Sequence, residues 1–141
     1  AEARPYGAQA FAQISANDSL GTGAAQVAVA AGQPGALQRV QELMTQLLDQ
    51  TPADEPIPRL TRKRLYELAF ALGMAGPDAE PYAGPLVELM GRKVESSAPP
   101  FGLLSLPPAR MCPVALRIGG AAASAAAAYD FCGKEWKTLE N

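Results

Sequence analysis

The side chains in this chain that could do chemistry are few, and the gaps among them narrow the function first. There is no histidine in its 141 residues. That removes the commonest general acid–base near neutral pH and the commonest metal ligand. Ser–His and Cys–His nucleophiles are excluded, as is any zinc site that needs imidazole. The carboxylates Glu67, Asp78, Glu80 and Glu88 are scattered and lack the spacing of a metal-binding loop. Gly21-Thr22-Gly23 lacks the later Gly-Lys of a phosphate loop. An enzyme built on carboxylate and tyrosine chemistry would need two carboxylates with separated pKa values in one pocket, and no such constellation is visible. The expectation is a non-catalytic protein with no cofactor and no metal.

Three other features carry information. RLTRKRL places Arg59, Arg62, Lys63 and Arg64 close together. With Thr61 as N-cap, the last three fall in the first turn of a helix, where the dipole disfavours positive charge by about 0.3–1 kcal/mol each. This suits docking to an acidic partner or anionic headgroups. The alternative is a solvated helix start, with Glu67 compensating through i,i+3 and i,i+4 pairing. APPFGLLSLPP, residues 98–108, offers Phe101, Leu103, Leu104 and Leu106 between proline pairs. It can be neither helix nor central strand. It reads either as a docking strap that loses little entropy on binding or as a loop packed on its own core. Trp136, between Lys134 and Lys137, either anchors the tail to a neighbour or covers the end of its own bundle.

Cys112 and Cys132 are the only cysteines. One continuous helix would hold them about 30 Å apart, whereas a disulfide needs Cα atoms within roughly 7 Å. A bridge therefore requires the chain to fold back, and Gly119-Gly120 is the place for it. The alternative is two buried thiols in a reducing compartment.

The elements that position these residues are helical. Alanine is abundant, aromatics are 6% of residues and isoleucine is scarce, a balance that favours helix over sheet. All-α is the expected fold class, as one domain over residues 1–141. The 13 prolines and 13 glycines cut it into short pieces. Helices are expected over residues 8–16 (Phe11 and Ile14 inward), 23–31 and 35–49, where Leu37, Val40, Met44, Leu47 and Leu48 share a face. Residues 51–60, with three prolines, read as an extended linker between two helical hairpins. The helix from Thr61 to about Gly73 carries two apolar stripes, Leu65/Leu68/Ala69/Leu72 and Tyr66/Phe70, and should be central and buried. Pro85 opens another helix with Leu86, Leu89, Met90 and Val94 inward and Arg92 and Lys93 in its last turn.

Net charge is -2, so nothing in the overall charge argues for nucleic acid or an anionic membrane as a partner. No apolar run reaches the ~18 residues of a membrane-spanning helix. The start Ala1-Glu2-Ala3 resembles what signal-peptide cleavage leaves. With the possible bridge, it points to export into an oxidising compartment, the periplasm or thylakoid lumen. AEARPYG and KTLEN have compositions that fray in isolation, so order in them would point to an assembly that pins both ends.

VAVAAGQPGALQRVQELM, residues 27–44, and LAFALGMAGPDAEPYAGPLVELM, residues 68–90, share a pattern. In each a helix ends at Gly, a proline-containing turn follows, and a second helix carries Leu then Met. The later copy resembles a HEAT-type repeat. The resemblance spans roughly Val27 to Val94 and implies protein binding without chemistry. An irregular bundle of two similar hairpins is the alternative arrangement. The functional expectation is an exported accessory or structural subunit. It would dock on a larger membrane assembly, photosynthetic or envelope, through Arg59, Arg62, Lys63, Arg64, Phe101, Leu103, Leu104 and Trp136. The competing expectation is a soluble inhibitor or immunity protein that blocks a secreted enzyme.

Overall fold

The computed structural model describes residues 4–97 and 103–133; Phe101, Trp136 and most of the two terminal stretches singled out above lie outside them. The fold is all-α. In chain order the helices are α1 (Arg4–Gln13), α2 (Ser19–Ala30), α3 (Ala36–Asp49), α4 (Arg59–Ala75), α5 (Gly84–Met90), α6 (Met111–Ile118) and α7 (Gly120–Ala128). A 3-10 helix, Gly76–Tyr82, joins α4 to α5, and the strands β1 (Val94–Ser97) and β2 (Leu103–Leu106) form one antiparallel ribbon between α5 and α6.

The helices pack in two rows. In the first, α2 lies on α4 and α4 on α6; in the second, α3 lies on α5 and α5 on α7. Three successive hairpins are thereby laid side by side, α2/α3, α4/α5 and α6/α7, with α1 covering the α2 end. This arrangement is compatible with a helical repeat. The α6/α7 hairpin makes three hairpins in all among the described residues, one more than the two similar sequence stretches.

The amphipathic pattern of α3 is realised, with Val40, Met44, Leu47 and Leu48 buried and Leu37 half-buried. In α4, Leu65, Leu68, Ala69 and Leu72 are fully buried. The second stripe departs from expectation: Tyr66 is half-buried and Phe70 is 41% exposed. Only one stripe faces the two-row core, and the other is left on a concave surface.

Several boundaries are corrected. Helix α2 starts at Ser19, not Gly23, because the Asp18 carboxylate accepts a 2.8 Å hydrogen bond from the Gly21 amide and caps it. That satisfies one of the orphan donors of the first turn. Ile14 is buried but lies beyond α1, and Phe11 is more exposed than its assigned inward position implies. Helix α4 starts at Arg59, so Thr61 is not its cap. Pro58 precedes it with no side-chain cap, and the Glu95 carboxylate on β1 accepts from the Arg59 amide instead, at 3.3 Å. Helix α5 stops at Met90. Arg92 therefore lies outside it and donates to the carbonyls of Thr51 and Pro52, at 3.0 and 2.8 Å.

Val94 is buried, as expected, but in a strand. Ile57, fully buried in the proline-rich segment, donates to the Lys93 carbonyl (2.9 Å) and accepts from the Glu95 amide (2.8 Å). Residues 51–60 are thus tied to the body at both Arg92 and β1.

The chain folds back at Gly119 and Gly120, whose φ values are +85° and +55°. Gly119 has ψ -163°, a conformation essentially confined to glycine. The reversal brings Cys112 of α6 and Cys132, in the helical turn after α7, to a Cα separation of 5.5 Å, and they form a disulfide. At Gly120 a Cβ would run into the Glu80 side chain. Gly119→Ala is expected to lower the free energy of unfolding by about 1–3 kcal/mol in urea titration. Gly23→Ala, inside α2 with open space around it, should instead stabilise by about 0.5–1 kcal/mol.

Candidate functional site

The basic cluster does not act as one patch of four, because the helix keeps Arg59, Arg62 and Lys63 on one groove and turns Arg64 away from it. With α4 beginning at Arg59, only Arg59 lies in the first turn. Arg62, Lys63 and Arg64 sit beyond it, where the dipole field has largely fallen away. Their placement needs no offsetting partner on that account.

Arg64 turns toward α2. Its Nη1 donates to Ser19 Oγ at 2.7 Å and lies 3.5 Å from Glu67 Oε1. Ser19 Oγ donates to the same Glu67 oxygen at 3.3 Å, and the hydroxyl of Thr22, fully buried, donates to Glu67 Oε2. The Glu67 carbonyl accepts from Gln26 Nε2 at 3.1 Å. Arg64 and Glu67 thus form a polar clasp between α2 and α4, which is a structural role. Glu67 does compensate the cluster, through its i,i+3 partner.

Arg62 turns the other way. Its Nη1 donates to the Glu95 carbonyl on β1 at 2.7 Å, and its guanidinium stands 5.7 Å from the centre of the Tyr66 ring. Such a cation–ring contact is worth roughly 0.5–1 kcal/mol at an exposed site. It fixes the Tyr66 ring at the edge of a groove. Burial raises the Tyr66 phenol above its usual 10, against the pull of Arg62 and Arg110, so it stays a neutral hydrogen-bonding group through the physiological range.

The groove has a volume of about 580 Å³ and runs between α4 and the ribbon. Arg59, Arg62, Lys63, Tyr66, Glu67 and Phe70 form its helical wall; Val94, Ser96, Leu106 and Pro107 form the ribbon wall, and Ala109 and Arg110 close one end. Four cations line it against one carboxylate, and Glu67 is already engaged by Arg64, Ser19 and Thr22. Phe70 and Leu106, 41% and 42% exposed, add apolar surface. The ribbon register pairs Val94 with Leu106 and Ser96 with Leu104. Side chains alternate across a strand, so Leu104, also exposed, shares the face that walls the groove.

The structure therefore brings together Arg59, Arg62, Lys63 and the end of the apolar strap, two features more than 40 positions apart in sequence. It separates Arg64 from them. Leu103 takes its place in β2 by its backbone. Sequence reasoning missed Arg110, for which no local signal exists. It also assigned Tyr66 and Phe70 to the core, although a second aromatic stripe on a helix could have marked an exposed groove. Among the described residues no three Cys, Asp or Glu side chains converge as a metal ion would require, and no helix is long and apolar enough to cross a membrane. Comparison of the chain with family models, with curated proteins and with solved structures finds no match.

Proposed function

We propose that this protein is a non-catalytic interaction module that docks an acidic protein partner in the groove between α4 and the ribbon. The observation that carries the reading is the composition of that groove: four cations, one carboxylate already spoken for, and exposed Phe70 and Leu106. A charged rim steers and orients a partner, and aromatic and apolar side chains at the centre supply most of the contact energy. The two-row packing of helical hairpins supports the HEAT-type resemblance, whose members bind proteins along such stacks. The disulfide supports an exported, oxidising location, periplasmic or lumenal. The protein acts there as an accessory subunit of a larger photosynthetic or envelope complex.

Arg59 and Lys63 are the residues to reverse, because Arg62 and Arg64 also tether the fold. Both are exposed. Arg59→Glu with Lys63→Glu is expected to weaken docking by roughly tenfold or more, about 1.4 kcal/mol or above, at physiological salt. Thermal stability should remain within about 0.5 kcal/mol. The check is a low-salt, mild-detergent pull-down from source cells with native sizing and mass spectrometry. Co-migration with a large membrane complex, lost in the variant and at high salt, is the expected result. A 1:1 complex with one soluble enzyme would make the protein an inhibitor instead. Unchanged recovery of the variant would remove the groove from the account.

A further inference from the structure

The outer edge of β2 is unpaired among the described residues. Glu95 donates to the Ile57 carbonyl, and the Lys93 carbonyl accepts from Ile57. The peptide groups of residues 93 and 95 therefore point toward Ile57. Because those groups alternate in direction along a strand, Val94 and Ser96 point theirs at β2. Their register partners are Leu106 and Leu104, so these two carry the bonds to β1. Leu103 and Ser105 must then direct their N–H and C=O groups away from the ribbon. Among the described residues nothing pairs with them. Such an unpaired edge is a template for an incoming strand.

We infer that the partner presents an extended acidic segment whose backbone adds to β2 as a third ribbon strand. The inference rests on the docking role proposed above and names the form of the partner. Charge selects the occupant. Side chains of the added strand that share a face with Leu104 and Leu106 continue the groove wall, facing the α4 side with its Arg59 and Lys63. Carboxylates at alternate positions match those cations, and apolar residues at the same face match Leu104, Leu106 and Phe70. A neutral or basic strand would leave the cations unmatched.

The test uses the full, oxidised chain and a library of eight-residue peptides. In these, acidic residues (Asp or Glu) and apolar ones (Val, Ile, Leu or Phe) together fill every second position, with Ser or Thr between, so that both fall on one face; scrambled peptides of the same composition are the control. Alternating peptides should bind in a salt-sensitive way and scrambled ones at least tenfold more weakly. Ser105→Pro removes an outward N–H without touching a β1–β2 bond and should weaken binding at least tenfold. A peptide N-methylated at alternate residues should lose binding similarly, which covers the case where Ser105→Pro alters the ribbon. On binding, the Leu103 and Ser105 amides should exchange with solvent at least tenfold more slowly, while those of Leu104 and Leu106 change little.

If Arg59→Glu/Lys63→Glu abolishes binding but Ser105→Pro and N-methylation do not, docking stands and strand addition falls. If no alternating peptide binds, or none of these changes matters, both fall. Salt-insensitive dimerisation of the chain that Ser105→Pro abolishes would make the occupant a second copy and overturn the acidic partner.

Discussion

Replacing both Cys112 and Cys132 by serine is expected to lower the free energy of unfolding by about 3 kcal/mol. That is the loop-closure entropy that the cross-link, with its sequence separation of 20, removes from the unfolded chain. For a domain of this size Tm should fall by about 10 °C. The bridge clamps a region with little else to hold it. Helix α7 is GAAASAAAA, whose small side chains bury little area each, and only Ala122 and Ala126 are buried. Without the cross-link, the end of the second row depends on alanine contacts and on Tyr129 and Phe131, which pack together with ring centres 5.1 Å apart. Urea titrations of the wild type, the reduced wild type and the double variant check this. The last two should coincide. If reduction shifts the midpoint by less than the equivalent of about 1 kcal/mol, the α6–α7 reversal holds by packing alone. In that case the cross-link is not the main support of this end of the fold.

The second large effect is expected at Glu67. Glu67→Ala should destabilise the protein by about 3 kcal/mol, as breaking a largely buried ion pair does when it leaves the partner charge uncompensated. The side chains of Arg64 and Glu67 are only 12% and 19% exposed. Glu67 also receives the hydroxyls of Ser19 and Thr22. Removing it would take one partner from the Thr22 hydroxyl in the α2–α4 contact, the most extensive helix contact among the described residues, leaving it the Ser19 and Asp18 carbonyls at 3.2 and 3.4 Å. A double-mutant cycle with Arg64→Ala should show a coupling of at least about 1 kcal/mol. Purely additive effects would mean that Glu67 acts through α2 alone. Glu67 is also the one carboxylate lining the groove, so Glu67→Ala leaves the groove more positive and should weaken docking of an acidic partner only as far as it unfolds the chain. That separates the clasp from the docking residues.

Local sequence determined the parts of this protein where period and punctuation agree. The α3 face, the Leu65/Leu68/Ala69/Leu72 stripe and the helix opened by Pro85 are all legible, because a helix buries whatever recurs every three or four residues. The need for a fold-back between the cysteines follows from chain geometry, and Gly119-Gly120 is where positive φ costs least. The start of α2 was obscured by Gly21, Thr22 and Gly23, which have poor helix propensity. Asp18 and the Glu67 clasp outweigh that weakness. The start of α4 was obscured because its acceptor, Glu95, lies 36 positions away.

Tertiary structure alone decided the ribbon and the groove. Val94–Ser97 has no strand signal of its own. It becomes β1 because Ile57 on one side and Leu104 and Leu106 on the other satisfy its peptide groups, and backbone pairing between distant segments leaves no local trace. The basic cluster and the apolar strap were each visible in the sequence as candidates for docking. Their union was not, since it depends on α4 rotating Arg59 and Lys63 toward the ribbon while Arg64 turns to Glu67. Which of two apolar stripes on a helix meets the core depends on where its neighbours stand. In this fold they stand on one side of α4, and Tyr66 and Phe70 are left facing the groove.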